Sequence, residues 1–336
     1  MELHVHSVAG ERLHLPTISP SATGAALEAA VAAVLPVFAV AGRDVEWDVR
    51  LIFGDGEVAS SRPLNDQGIT DGASLTYIKS LRLSFPDDFN ERLDILPSGL
   101  QSLSFGFCFD QSLENVHLPG SLESLTFGHC FNESMENVEL PSGLQILVFG
   151  ECFDQSLDNV RLPSGLQSLH VGESFNESLE NVRLPSGLQN LTFGCMFNQS
   201  LENVELPSGL KSLTFGNSYY QSLWNVELPS GLQSLAFGVQ YDESLEGVKL
   251  PRGLQSLTLG DFFSHSLEGV ELPSGLQSLT FSEGCHFNES VENVRWPASL
   301  QNLTFGQHFD QSFENAHLPS RLQNLTFGCD FSQSLE

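Results

Sequence analysis

From Leu100 onward the apolar residues recur in two short clusters per block, LxxLxF and LxxVxL, with a lone aromatic between them. Leu100, Leu103, Phe105, Phe109, Leu113, Val116 and Leu118 make up one such set. The last two apolar residues of each cluster are separated by one polar residue, so alternation puts them on one side of an extended chain. This predicts two strands per block, and two parallel sheets of stacked blocks facing each other across a core. The beat is strict. Nine prolines from Pro97 to Pro273 are spaced by 22 residues, a gap of 24 leads to Pro297, and 22 returns at Pro319. A fixed period in this range is the signature of a solenoid, whose coils bury their apolar faces on one another.

Two aromatic columns fill the expected core. One runs through Phe105, Phe127, Phe149, Phe193, Phe215, Phe237, Phe281, Phe305 and Phe327, with Val171 and Leu259 substituting. The other runs through Phe109, Phe131, Phe153, Phe175, Phe197, Tyr219, Tyr241, Phe263, Phe287, Phe309 and Phe331. Corners are marked by turn residues. Leu206-Pro207-Ser208-Gly209 reads as a type I turn with proline in its second position, and Gly106, Gly128 and Gly150 mark a second corner. An unbroken serine column, from Ser112 and Ser134 to Ser312 and Ser334, marks a third, where a hydroxyl bonds local backbone. None of these serines has a partnered His and acid, so they do not read as nucleophiles.

The first 80 residues follow another pattern. Residues 1–15 alternate around Ala9-Gly10 as a hairpin, and Ser19-Pro20-Ser21 offers caps for a helix carrying Leu27, Val31 and Val34 on one face. Val45 to Phe53 reads as a strand, Gly54-Asp55-Gly56 as its turn, and Ser74 to Ser80 as a closing strand. Hairpin, helix, strand and final strand make a β-grasp order. Neither Gly nor Pro occurs between Ser74 and Phe85, so the last strand is expected to pass directly into the first coil, with the N-terminal domain as cap.

Residues 1–80 resemble ubiquitin-like domains, through MELHVHSVAGERLHL, Arg50-Leu51-Ile52-Phe53 with its Gly-containing turn, and Arg62-Pro63-Leu64-Asn65-Asp66-Gln67-Gly68-Ile69 before Asp71-Gly72-Ala73-Ser74-Leu75. The resemblance implies an apolar recognition patch on Val8, Ile52 and Ile78. The Gly-Gly tail of conjugated members is replaced by Tyr77-Ile78-Lys79-Ser80-Leu81, and Lys79 is the one lysine of the domain. The resemblance therefore implies a fixed module, with a partner from the ubiquitin pathway. Residues 81–336, as LPSGLQSLTFGxxFNQSLENV, resemble the FNIP repeat, an LRR-related family of protists, and more loosely the LRRs of bacterial surface proteins. This implies a curved, right-handed solenoid used for binding. The fold class is thus an α+β ubiquitin-like β-grasp domain at 1–80 fused to an LRR-like parallel β-solenoid of about eleven 22-residue repeats at 81–336.

The formal charge of −28 changes this picture only by exclusion. A polyanionic surface repels phosphate backbones, so nucleic acid is not an expected partner. With no apolar run of membrane-spanning length and no basic-then-apolar leader, no membrane partner is expected and the location reads as cytoplasmic. The six cysteines make no CxxC pair. Cys108, Cys130 and Cys152 occupy one column and are expected as free thiols, although stacking would also admit a disulfide or a soft metal. The chain stops partway through a coil. That implies an exposed apolar end, arising from a longer protein or a truncated gene or leading to end-to-end self-association.

Exposed columns carry what remains. On the LxxVxL arm, Asn115, Asn137, Asn159, Asn181, Asn203, Asn225, Asn293 and Asn315 form one, beside a variable column of His117, Glu139, Arg161, Arg183, Glu205, Glu227, Lys249, Glu271, Arg295 and His317. Variation confined to one column of a uniform array suits a specificity-bearing face. An acidic ladder from Glu114 to Glu336 runs beside them, broken at Trp224, and lacks the loop a calcium site needs. The other arm shows a Ser/Asn column and a Thr column interrupted at Val148, His170 and Ala236. The expected function is a non-enzymatic adaptor without cofactor or metal, its solenoid binding a protein partner and its N-terminal domain a second one. The alternative is a structural or ligand- or ice-binding solenoid with that domain as a mere cap.

Overall fold

The computed structural model describes residues 3–7, 12–13, 15, 17–33, 38–40, 43–53, 56–58, 60–71, 73–93 and 95–334; at 4, 6–7, 12–13, 38–40, 43–53, 56, 65 and 76–80 it describes the backbone alone. Two compact units result. One comprises Met1–Phe85, Leu93–Ser104 and His117–Glu123, and the other Pro86–Arg92, Phe105–Val116 and Ser124–Glu336.

In the first unit, β1 (His4–Ser7) pairs antiparallel with β2 (Arg12–Leu13), and helix α1 (Gly24–Ala32) follows. Thr23 caps α1, its hydroxyl accepting from the Ala26 amide at 3.4 Å, and Leu27 and Val31 point inward from it. Then come β3 (Phe38–Val40), β4 (Arg43–Phe53), β5 (Gly56–Glu57), β6 (Ser74–Ser84) and β7 (Leu100–Ser104). β6 pairs parallel with β1 and with β7, and antiparallel with β4. Leu3, Val5, Leu27, Val31, Val58, Leu64, Ile69 and Leu75 form its core. β6 is longer than the Ser74 to Ser80 expected and runs unbroken to Ser84. The expected hairpin turn at Ala9-Gly10, the turn residues Gly54-Asp55 and the helix-face residue Val34 lie outside the described residues.

The second unit is a ladder of short parallel strands, one per coil. These are β8 (Ser124–Thr126), β9 (Ile146–Val148), β10 (Ser168–Val171), β11 (Asn190–Phe193), β12 (Ser212–Thr214), β13 (Ser234–Ala236), β14 (Ser256–Leu259), β15 (Ser278–Phe281), β16 (Asn302–Thr304) and β17 (Asn324–Thr326). Their register follows the sequence period: Leu125 faces Leu147, and Leu191 faces Leu213. The two extra residues near Pro297 are absorbed between β15 and β16, where Leu279 still faces Leu303.

Both aromatic columns are buried stacks as far as Phe305 and Phe309, and their last rings, Phe327 and Phe331, are half-buried. Phe105 and Phe127 lie 5.5 Å apart between centroids, Phe109 and Phe131 6.1 Å, and within a coil Phe105 and Phe109 pack at 3.8 Å. Parallel, offset rings at these spacings bury large apolar faces and gain aromatic contact beyond burial alone. The Gly106, Gly128 and Gly150 corner exists for close approach: a Cβ on Gly150 would overlap the carbonyl oxygen of Gly128. Neighbouring coils touch backbone to backbone there, and no side chain fits.

Two expectations about the coil are corrected. The LxxVxL arm forms no strand among the described residues, so there is one parallel sheet and not two. Its chain instead makes a β-turn, the Val138 N–H donating to the Met135 carbonyl at 3.1 Å, and then a tight three-residue turn in which the Leu140 N–H donates to the Val138 carbonyl at 3.1 Å. Such turns also bring residues i and i+2 to one side, which is why alternation mimics a strand. The proline turn is shifted by one residue as well. Leu210 N–H donates to the Pro207 carbonyl at 3.0 Å, so proline is the first residue of the turn, contributing the acceptor it retains and not its fixed φ at the second position.

Candidate interaction surface

The LxxVxL arms build their exposed face from three backbone devices, not all of them used in every coil. The serine column comes first: Ser134 Oγ accepts from the Glu136 amide at 3.2 Å, Ser156 from Asp158 at 3.0 Å and Ser200 from Glu202 at 3.0 Å. These hydroxyls are engaged in capping the turn, as expected. Asparagine comes second. Asn115, Asn159 and Asn203 adopt φ of 67°, 61° and 67°, and Gly247 and Gly269 take the same left-handed region at 76° and 83°. Asn is the side-chain-bearing residue that tolerates this region best, which suits it to these three coils; the column's other asparagines do not enter that region. The three-residue turn comes third and lifts the variable residue to its apex, with the Val138-type residue buried beneath.

The three columns are therefore set by turn geometry. Among the candidate residues, His117, Glu139, Arg161, Arg183, Glu205, Glu227, Lys249, Glu271 and Arg295 are all exposed, His117 in the first unit and the rest in the second. The acidic ladder beside them is partly engaged. Asn137 Nδ2 donates to Glu114 at 3.3 Å, Asn225 to Glu202 at 3.1 Å and Asn315 to Glu292 at 3.3 Å. Each such bond ties one coil to the next and offsets repulsion between successive carboxylates, which in water amounts to roughly 1 kcal/mol at about 4 Å. Of the expected N-terminal patch, Val8 lies outside the described residues, and Ile52 and Ile78 are described by backbone alone. Ile52 pairs with Thr76 and Ile78 with Arg50 in the β4–β6 ladder.

A second polar ladder is not evident from the sequence columns. Asn90, Asp110, Asn132, Asp154, Asn176 and Asn198 each accept, through Oδ1, the backbone N–H one coil further on, at 2.9 to 3.1 Å. The ladder lapses where Tyr220 offers no acceptor and resumes from Asp242 to Ser264 at 3.0 Å. Near its end the Ser332 amide and the Gln333 side chain hold the Asp310 carboxyl below the usual carboxylate range. Its sequence signal is the alternation of Asp and Asn at one position, which supplies an acceptor every coil while keeping like charges apart.

The cysteines are free. Partial desolvation, then the neighbouring thiols of Cys108 and Cys152 and the Asp110 carboxylate, push the Cys130 thiol above its ordinary range, which keeps it protonated at neutral pH. No cluster of three or more His, Cys, Asp or Glu suited to a metal ion occurs among the described residues. No helix among them is long and apolar enough to cross a membrane. On the sheet side, the Ser/Asn and Thr columns line up in register, as Thr258 faces Thr280 and Thr304 faces Thr326, and exposed Ile146 interrupts the first column.

The model of the FNIP Repeat family matches residues 89–130, 109–152, 153–196, 197–240, 241–284 and 287–330. Among solved structures, CroV588, described as a novel circular LRR protein, superposes with a TM-score of 0.63 at 39% identity, over 76% of this chain and 41% of that one. The chain thus spans less than half the length of that relative. An internalin, InlF, of Listeria monocytogenes is 16% identical with a TM-score of 0.40, over 76% of this chain and 87% of its own. A leucine-rich repeat protein of Bacteroides ovatus is 12% identical with a TM-score of 0.18, over 75% and 86%. No curated protein matches the chain.

Proposed function

The chain belongs to the FNIP-repeat family, and from that premise we propose that it is a non-enzymatic protein-interaction scaffold whose solenoid binds a protein partner through the turn side of its coils. The observation that carries this reading is the variable column. His117, Glu139, Arg161, Arg183, Glu205, Glu227, Lys249, Glu271 and Arg295 differ in charge and size while their flanking serine, asparagine and acidic neighbours hardly change. All nine are exposed. Within the second unit, the backbone from Glu139 to Arg295 presents a row of changing side chains suited to reading a partner's surface by electrostatic complementarity.

The N-terminal unit supports a second half of the proposal, that a ubiquitin-like β-grasp module is fixed to the scaffold and engages a ubiquitin-pathway protein. A hairpin, a helix and a last strand lying parallel to the first are the parts such a module needs. The test uses the full chain as bait, in parallel with a variant carrying Val8→Ser, Ile52→Ser and Ile78→Ser and a variant with the turn-side column changed to serine. The proposal expects one partner lost with each variant. A partner set unchanged by either would remove the corresponding half.

A further inference from the structure

One groove of about 1240 Å³ lies on the turn side of the coils that carry Trp224, Gly247 and Gly269. Several departures from the repeat meet in it. Trp224 stands where the other coils place an acid, Gly247 and Gly269 stand where the rest place Asn, and Arg252 stands where most place Ser. Lys249 belongs to the variable column and lines the same groove. The two glycines are not there for their backbone angle, since Asn203 adopts φ of 67° at the same position. Gly247 provides room: a Cβ on it would sit 2.5 Å from the Trp224 indole, which lies across that backbone. Gly269 has no such clash, a Cβ there meeting only Glu246 at 3.5 Å, so its missing side chain serves to widen the groove.

The indole is 62% exposed. Its backbone is held like that of the acidic residues it replaces, the Trp224 amide donating to Ser222 Oγ at 3.2 Å. Exchanging acid for indole and serine for arginine moves the local charge in one direction, toward positive, on a chain that carries −28 overall. An exposed Trp that shares a concave groove with Lys249 and Arg252 has the make-up of a binding hot spot.

Deepening the scaffold reading above, on which it rests, we propose that this groove binds an extended segment of the protein partner, one that lays an aromatic side chain on Trp224 and brings an acidic side chain to Lys249 and Arg252. Glu243, Glu246 and Glu271 line the same groove and outnumber Lys249 and Arg252, so the acidic side chain is a single one placed at those two cations and a segment acidic throughout is excluded. The net negative charge of the rest of the chain acts weakly at this site, because surface charges are screened beyond about 8 Å at physiological salt.

The test selects a phage-displayed random peptide library on the full chain and on a variant carrying Trp224→Glu, Gly247→Asn, Arg252→Ser and Gly269→Asn. Each of these substitutions installs the residue other coils carry, so the variant is expected to keep its unfolding midpoint. The wild type is expected to select peptides pairing an aromatic residue with Asp or Glu, and a synthesised winner to bind the variant about thirtyfold more weakly, as for loss of a Trp hot spot. Lys249→Ser is expected to weaken binding at low salt more than at high salt. Selection of basic peptides, or of none, would overturn the inference. Peptides that bind both proteins equally would overturn this site while leaving the scaffold reading to its own test.

Discussion

The two sides of each coil in the second unit are held by different means. On the sheet side, strands pair in register, aromatic rings stack at 5.4 to 6.4 Å, and glycine corners touch backbone to backbone. On the turn side, the chain is held by local bonds within a coil, Ser Oγ to amide and carbonyl to amide, and its side chains point to solvent. A backbone change on the first side is transmitted to the next coil, whereas on the second only the exposed Asn-to-Glu side-chain bonds cross between coils and the variable residues stand apart from them. Scaffold and readable surface are therefore separable within one 22-residue unit, and substitutions should expose the difference.

The largest effect is expected for Gly150→Ala, whose new methyl overlaps the Gly128 carbonyl and forces coils apart. Loss of more than about 4 kcal/mol in urea unfolding is expected, the range of changes that break packing outright. Phe131→Ala removes a fully buried ring from one stack and should cost about 3–5 kcal/mol. Tyr241→Phe should act in the opposite sense. Its hydroxyl is buried without a hydrogen-bond partner, and burial pushes it far above the usual phenol range, so it stays protonated. Restoring the Phe found in most coils should stabilise by about 1 kcal/mol, and a lower melting temperature would show that the hydroxyl is bonded after all. Turn-side changes such as Glu205→Ser or Glu227→Ser should alter unfolding by no more than about 0.5 kcal/mol.

The smallest effect is a local pH dependence. Hydrogen bonds from the Ser332 amide, Gln333 and the Ser332 hydroxyl hold the Asp310 carboxyl below its unfolded value, which is about 3.9. Its contribution is therefore complete above the unfolded value and is lost as pH falls through the lower folded one. Hydrogen exchange at the Ser332 amide should become less protected on acidification in the wild type. Asp310→Asn keeps the acceptor without the charge and should abolish that change.

How much of this is legible in the sequence follows the same division. Proline spacing and the Leu and Phe columns report the coil because burial is imposed identically on every repeat. The backbone of the turn side is harder to read, since Val138 and Leu140 alternate in a tight turn as they would in a strand. The asparagine column holds the missing information. Asn115, Asn159 and Asn203 share a left-handed backbone with Gly247 and Gly269, which an outward-facing strand position would not require. The Asp/Asn ladder from Asn90 to Asn198 is hidden for a related reason: its acids look like solvated charge, although each accepts a backbone bond from the next coil. Groove formation at Trp224 depends on what lies beside the indole in the following coil, which no single column reveals.

The central claim is that partner recognition lies on the turn side. Its most direct measurement is the affinity of a captured partner for two full-length variants, compared at matched unfolding midpoints. One carries Glu139→Ser, Arg161→Ser, Arg183→Ser and Glu205→Ser, and the other carries Thr192→Ser, Thr214→Ser and Thr258→Ser on the sheet side. The account predicts that the first loses at least tenfold in affinity and the second none, a tenfold loss being about 1.4 kcal/mol. Loss confined to the sheet-side variant would contradict it.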